Sequence, residues 1–171
     1  MLNHASDYSQ LTQDQFSSLG RVIVESSNIE YLLEIIMIRL ARAPDYPALA
    51  ITSQLGYVQK LNALKVLVDT HRRRYGSSLI SDDMLDRLSS LLKEVDSFRM
   101  DRNRCAHYLW CRTTDETVFG IRFTGKHGDA RKHNQDCMTF TVDELNSIAS
   151  EMHRIVDDLL AVLTSLPEIE E

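Results

Sequence analysis

The sequence predicts a mostly α-helical fold, an up-and-down bundle with a small β-hairpin insertion around residues 117–140. Three observations carry this. Apolar residues recur at steps of three and four through four long stretches, which is the helical period. Helix-start signals stand at the heads of these stretches. Only 6 Gly and 3 Pro occur in 171 residues, too few for a turn-rich all-β sandwich. The length corresponds to about one domain of 150 residues. We therefore expect one domain over 1–171, with a flexible leader at 1–11 and an acidic tail at 166–171.

The first helix opens at Thr12. Thr12-Gln13-Asp14-Gln15 fits a capping box, a hydroxyl at the cap and an amide three residues on. Phe16, Leu19, Val22, Ile29, Leu32, Leu33, Ile36, Met37 and Leu40 then keep helical spacing until Pro44 and Pro47. Nearly every residue in its second half is apolar, which fits burial on more than one side. A short helix from Pro47 to about Ser53 comes next. Another long stretch runs from Tyr57 to Tyr75, with Val58, Leu61, Leu64 and Val68 on one face. It ends on His71-Arg72-Arg73-Arg74, a solvated, cationic end suited to the helix dipole, and stops at Gly76.

A third long helix starts after Ser81 with Asp82 and Asp83. Leu85, Leu88, Leu92 and Val95 form a seam with coiled-coil-like steps. Continued, that seam lands on Arg99, Arg102, Ala106 and Leu109. An apolar stripe that acquires two arginines breaks a local rule, and such breaks concentrate at functional sites. Val118–Phe123 and Cys137–Phe140 read as two short strands around a polar loop with Lys126, His127, Arg131, Lys132 and His133. Thr141-Val142-Asp143-Glu144 is a second capping box. It opens a closing helix with Leu145, Ile148, Met152, Ile155, Leu159 and Leu163 on one face.

Charge excludes some classes and locates others. Lys+Arg 19 against Asp+Glu 25 gives −6, so a general basic coat for nucleic acid is excluded while a local patch is not. Residues 99–112 carry four Arg against one Asp, residues 122–133 four cations against Asp129, and residues 141–171 eight acids against Arg154. The middle of the chain is thus locally basic. No apolar run approaches the roughly 20 residues of a membrane span, and Met1–Gln10 lacks a signal-peptide core. Three cysteines, Cys105, Cys111 and Cys137, fit reduced thiols and a cytoplasmic setting better than a secreted framework.

The chemistry concentrates in Arg99-Met100-Asp101-Arg102-Asn103-Arg104-Cys105-Ala106-His107-Tyr108. On a helix, Arg99, Asn103 and His107 share a ridge. An imidazole, a permanent cation and an amide suffice to cleave RNA without metal. Histidine exchanges a proton with a 2′-OH or a leaving 5′ oxygen. Arginine stabilises charge developing on the phosphate. Asparagine orients either.

Arg102-Asn103-Arg104-Cys105-Ala106-His107 resembles the signature of HEPN domains: Arg, a polar residue, a spacer of four to six residues in all, then His. The helix order is similar too, with a long apolar first helix, a motif on a later helix and a closing amphipathic helix. The resemblance spans about residues 12–165, but only these six residues are specific. In toxin–antitoxin members a Tyr stands two places after the His; here Tyr108 comes directly after His107. The resemblance implies a HEPN-like bundle that dimerises so that two motifs meet in one composite site. It implies metal-independent endoribonuclease activity leaving a 2′,3′-cyclic phosphate, with no cofactor, and a toxin or defence setting with an antitoxin or other protein partner. Carried over, Arg102, His107 and Asn103 would be catalytic. Arg99, Arg104, Tyr108 and Glu30 are the candidate substrate-binding residues around them.

Blander readings stand beside these. Glu30 interrupts an apolar run and either pairs with Arg102 or His107 or lies on a wet bundle edge. Arg99 and Arg104 bind phosphates or form surface salt bridges. The 126–133 loop is an RNA-contacting flap or a polar hairpin loop. The cysteines and histidines lack the spacing of a zinc site, so no metal is expected, and Cys105 points away from His107 on a helix. The alternative function is a non-catalytic helical interaction or regulatory module that dimerises or binds a protein or RNA.

Overall fold

The structure is a computed structural model describing residues 10–124 and 134–167. It is mostly helical, with one three-stranded antiparallel sheet. The helices are α1 (Gln13–Ala41), α2 (Asp45–Thr52), α3 (Tyr57–Thr70), α4 (Asp82–Ser97), α5 (Arg99–His107) and α6 (Val142–Ser165). The strands are β1 (Leu109–Arg112), β2 (Thr117–Thr124) and β3 (Asn134–Thr141), in the order β1-β2-β3. Among the described residues no helix is long and apolar enough to cross a membrane. The chain divides into two compact units. The first comprises residues 1–24 and 100–151, the second 25–99 and 152–171.

In the first unit both predicted capping boxes form. The Thr12 hydroxyl accepts from Gln15 N–H at 3.2 Å while the Gln15 carboxamide accepts from Thr12 N–H at 2.9 Å. Thr141 and Glu144 make the reciprocal pair at 3.0 and 2.7 Å. Gln15 is fully buried. Its amide nitrogen also donates to the carbonyls of Thr114, Asp115 and Thr117, 2.8–3.2 Å away. This ties the start of α1 to the β1–β2 turn and satisfies carbonyls that a tight turn would otherwise orphan. Leu11, expected in a flexible leader, is buried; its side chain belongs to the core that starts one residue before the cap.

The sheet holds one strand more than expected. The helical seam would carry Leu109, yet this residue begins β1 and pairs with Ile121. Trp110 pairs with Gly120, and Val118 with Phe140. A Cβ on Gly120 would lie 2.7 Å from the Trp110 ring. A side chain at this position would force the indole to shift, which favours glycine where a ring approaches the backbone this closely. Trp110 stacks on Phe140 at 5.9 Å, and Val118, Leu145 and Ala149 of the same unit are fully buried.

The second unit is helical. Ile29, Leu33 and Ile36 of α1, Leu61 and Leu64 of α3, the α4 seam of Leu85, Leu88, Leu92 and Val95, and Met152, Ile155 and Leu159 of α6 are all buried. The α4 cap is the predicted one, with Ser81 Oγ accepting from Met84 N–H at 3.3 Å. Prolines were expected to end α1, but a Schellman motif does so first. Arg42 is left-handed at φ 51°. Ala43 N–H reaches Ile38 carbonyl at 3.4 Å, and Arg42 N–H reaches Arg39 at 3.2 Å, which closes two C-terminal carbonyls. Pro44 then caps α2.

Two expectations along α3 and α4 need correction. The stretch from Tyr57 leaves α-geometry at Thr70, and residues 71–75 form a single π-helical turn. His71 is not a solvated end residue: it is buried, and its Nε2–H donates to the Leu40 carbonyl at 2.9 Å. It thereby caps a further orphan carbonyl at the end of α1. Arg72 and Arg73 are exposed as expected and pair with Asp86 and Asp69. The α4 seam does not run on through Arg99 and Arg102. α4 ends at Ser97 and α5 starts at Arg99, directly after Phe98; Arg99 and Arg102 are half-buried and Ala106 is exposed, so full burial along the stripe stops at Val95.

Candidate functional site

The short helix α5 carries the singled-out residues. It is the most polar α-helix among the described residues and buries only Cys105 fully. A helix with so little apolar surface cannot be held by its own burial, so its anchorage comes from the strand immediately downstream. Tyr108 N–H closes the last turn on the Arg104 carbonyl at 3.1 Å. The chain then runs straight into β1, and the Trp110 indole N–H donates to the Cys105 carbonyl at 3.2 Å. Two of the four carbonyls that a helix end leaves open are thus satisfied.

Arg102, Asn103, Arg104 and His107 fall within nine residues of one helix, and Tyr108 stands immediately after it. Arg102 Nη1 donates to Asn103 Oδ1 at 3.2 Å, so the amide holds the guanidinium from the adjacent position. Arg104 pairs with Asp101 at 3.2 Å, and its Nε is buried with no hydrogen-bond partner among the described residues. His107 is exposed. The Tyr108 hydroxyl donates to the Asp136 carboxylate of β3. That hydrogen bond, with burial and the Asp136 charge, raises the phenol above its ordinary value against the opposing pull of Arg104. The Tyr108 ring stacks on Trp110 at 5.9 Å.

Cys105 stands two residues from His107, but burial first, and then the Asp101 charge, push its thiol up to about 12. A thiol so held is protonated at neutral pH and is no nucleophile. No group of three His, Cys, Asp or Glu side chains among the described residues is placed to hold a metal. His127 and His133, and with them the expected 126–133 loop, lie outside the described residues.

The other two substrate-binding candidates belong to the second unit. Arg99 opens α5 with its Nε 3.7 Å from Asp96. Glu30 lies 3.6 Å from Lys60 Nζ. Lys60 is itself buried and makes a closer bond, 2.8 Å, to buried Glu34. The other Glu34 oxygen accepts from the Thr52 hydroxyl at 2.6 Å. Burial pushes the Glu34 carboxyl up, but the bonds from Lys60 and Thr52 and the Lys60 charge outweigh it and hold the group below its ordinary value. One carboxylate therefore fastens α1, α2 and α3.

Sequence reasoning singled out Glu30 and missed Glu34 and Lys60. The signal was present: Lys60 sits one position before Leu61 and four before Leu64 on the buried face of α3, where an ammonium must find a carboxylate. It also missed Asp136, Trp110 and Gln15, whose partners lie across loops that no local period reveals. No protein-family model, no curated protein and no solved structure matches the chain.

Proposed function

We propose that the protein is a metal-independent endoribonuclease of HEPN type, acting as a homodimer on RNA through Arg102, Asn103 and His107. The observation that carries this reading is α5. A short polar helix gathers a guanidinium, an amide bonded to it and an exposed imidazole. In this reading His107 removes the 2′-OH proton or protonates the leaving 5′ oxygen. Arg102 stabilises the charge on the phosphorane-like transition state, and Asn103 orients Arg102. Arg104 borders the substrate path. The second motif of the dimer would supply the complementary acid or base. A toxin or defence role, with a protein antitoxin, rests on the resemblance of the six-residue motif alone.

The test is RNA cleavage in excess EDTA, wild type against His107→Ala, with analysis of the product ends. Cleavage by wild type alone, leaving 2′,3′-cyclic phosphate, is the expected result. Equal cleavage by both proteins overturns the reading.

A second reading has its own observation. α2 leaves Tyr46 83% and Ile51 69% exposed on eight residues. Apolar surface of this kind on a short helix suits an interaction module. Absence of cleavage across varied RNAs, together with capture of a defined protein partner through α2, favours it.

A further inference from the structure

The position of His107 is set by its backbone. Its ring has no hydrogen bond to the described residues, whereas the residue after it is anchored at two points. The Tyr108 ring lies on Trp110 at 5.9 Å with an interplanar angle of 26°. Its hydroxyl is bound by Asp136 of β3. Trp110 is in turn fixed by Cys105, by the close approach of Gly120 and by Phe140. A ring held on its face and at its tip allows its Cα little freedom, and only one peptide separates that Cα from His107.

We propose that Asp136 is a positioning residue for His107, acting through the Tyr108 hydroxyl, so that the sheet serves as the frame of the α5 site. The inference rests on the ribonuclease reading for its consequence in catalysis, but not for its geometry. General acid–base catalysis needs the imidazole within hydrogen-bond reach of the proton it moves. A displacement of about 1 Å costs on the order of a hundredfold in rate. Asp136 lies in a strand 29 residues downstream of the motif, where no motif search would place a site residue. The Asp136 hydrogen bond raises the Tyr108 phenol above its ordinary value, which keeps the hydroxyl protonated as the donor.

The experiment uses the full chain with Asp136→Ala, Asp136→Asn, Tyr108→Phe and the double variant Tyr108→Phe/Asp136→Ala. One readout is the His107 ring signal in proton–carbon NMR spectra, assigned by its loss in His107→Ala; the other is kcat and KM for RNA cleavage. Removing either partner should shift the His107 signal alike and lower kcat by about tenfold or more, with KM nearly unchanged. The double variant should be no worse than either single one, as expected for two residues acting through one bond. Asp136→Asn keeps an acceptor oxygen and should recover most of kcat.

A His107 signal unmoved in both single variants overturns the proposal, as does an asparagine variant as impaired as alanine. A rise in KM at constant kcat also overturns it, since it would mean that these residues touch substrate. Should Asp136→Ala fail to fold, Tyr108→Phe, which keeps the ring stack and loses only the hydroxyl, decides alone. Should wild type cleave no RNA, the ribonuclease reading falls, and the NMR signal still decides whether Asp136 places His107.

Discussion

Two polar clusters of this protein answer opposite physical demands. In the second unit, Glu34, Lys60 and Thr52 are all buried and close on one another, with bonds of 2.6 and 2.8 Å. In the first unit, the α5 residues are half-buried or exposed and end on an imidazole in solvent. Buried charges must be paired or they cost several kcal/mol each, so the cluster around Glu34 is explained completely by the fold. Nothing comparable explains the one on α5. Its helix buries only Cys105 fully, and Arg102, Asn103 and Arg104 stand half-buried on it, the Arg104 Nε being buried without a hydrogen-bond partner among the described residues. The difference separates residues that the architecture requires from residues that it tolerates, and the tolerated ones are where a function is sought.

The largest effect that sharpens this contrast is that of His107→Ala. Removing a general acid or base lowers rate by about 10²–10⁴-fold, while an exposed side chain contributes within about 0.5 kcal/mol to stability. On the proposed ribonuclease reading, RNA cleavage should fall by that factor while the thermal midpoint stays. A fall of both together would make His107 a structural residue and erase the contrast.

Lys60→Met should do the reverse. It leaves Glu34 buried beside Glu30 with no cation between them, which costs about 3–5 kcal/mol. For a chain of this length that lowers Tm by on the order of 10 °C. In wild type Glu34 lies below its ordinary value of 4.5, so it stabilises the fold above that pH and ceases to as pH falls through its folded value. In Lys60→Met only the Thr52 hydrogen bond still opposes burial, and burial, the larger of the two, lifts the carboxyl above its unfolded value. Its contribution is then lost as pH rises, and the sign of the stability–pH slope inverts. Unchanged urea midpoints at pH 7 would show that the cluster contributes no net stability.

A third variant probes the frame of the α5 site. Gly120→Ala places a Cβ 2.7 Å from Trp110, an overpacking that costs about 1–3 kcal/mol. The indole must shift, and with it the stack on Tyr108. Near-ultraviolet circular dichroism, dominated by the single Trp, should change; a spectrum identical to wild type would show that the ring yields without moving its neighbours.

Legibility in the sequence tracks the range of each interaction. Capping boxes at Thr12 and Thr141 and the N-cap at Ser81 were legible because both partners lie within three residues. The α4 seam was legible because burial repeats with the helix. β1 was not: four residues are too short for a period, and Leu109 fits a helical seam as well as a strand. The break at Phe98 was hidden for the same reason. His71 looked solvated because its neighbours are three arginines, yet its partner is a carbonyl 31 residues away. In the α5 site, Arg102, Asn103 and His107 were legible as a local motif, while Asp136 was not, since strand pairing alone brings it to Tyr108.

The smallest effect divides the charged cluster further. Thr52→Val removes one bond to a buried carboxylate and substitutes a methyl of similar size, a loss of about 1–2 kcal/mol at pH 7. Thr52 helps hold Glu34 below its ordinary value, so without it the folded pKa moves back toward 4.5. The gap between folded and unfolded carboxyl narrows, and less stability is lost on acidification. The difference between wild type and variant should therefore be full above about pH 5 and shrink as Glu34 takes up its proton. Urea unfolding at pH 7, 5 and 3.5 measures it. A difference that stays constant across that range would mean that Thr52 acts by packing the end of α2, and that Lys60 alone holds the charge on Glu34.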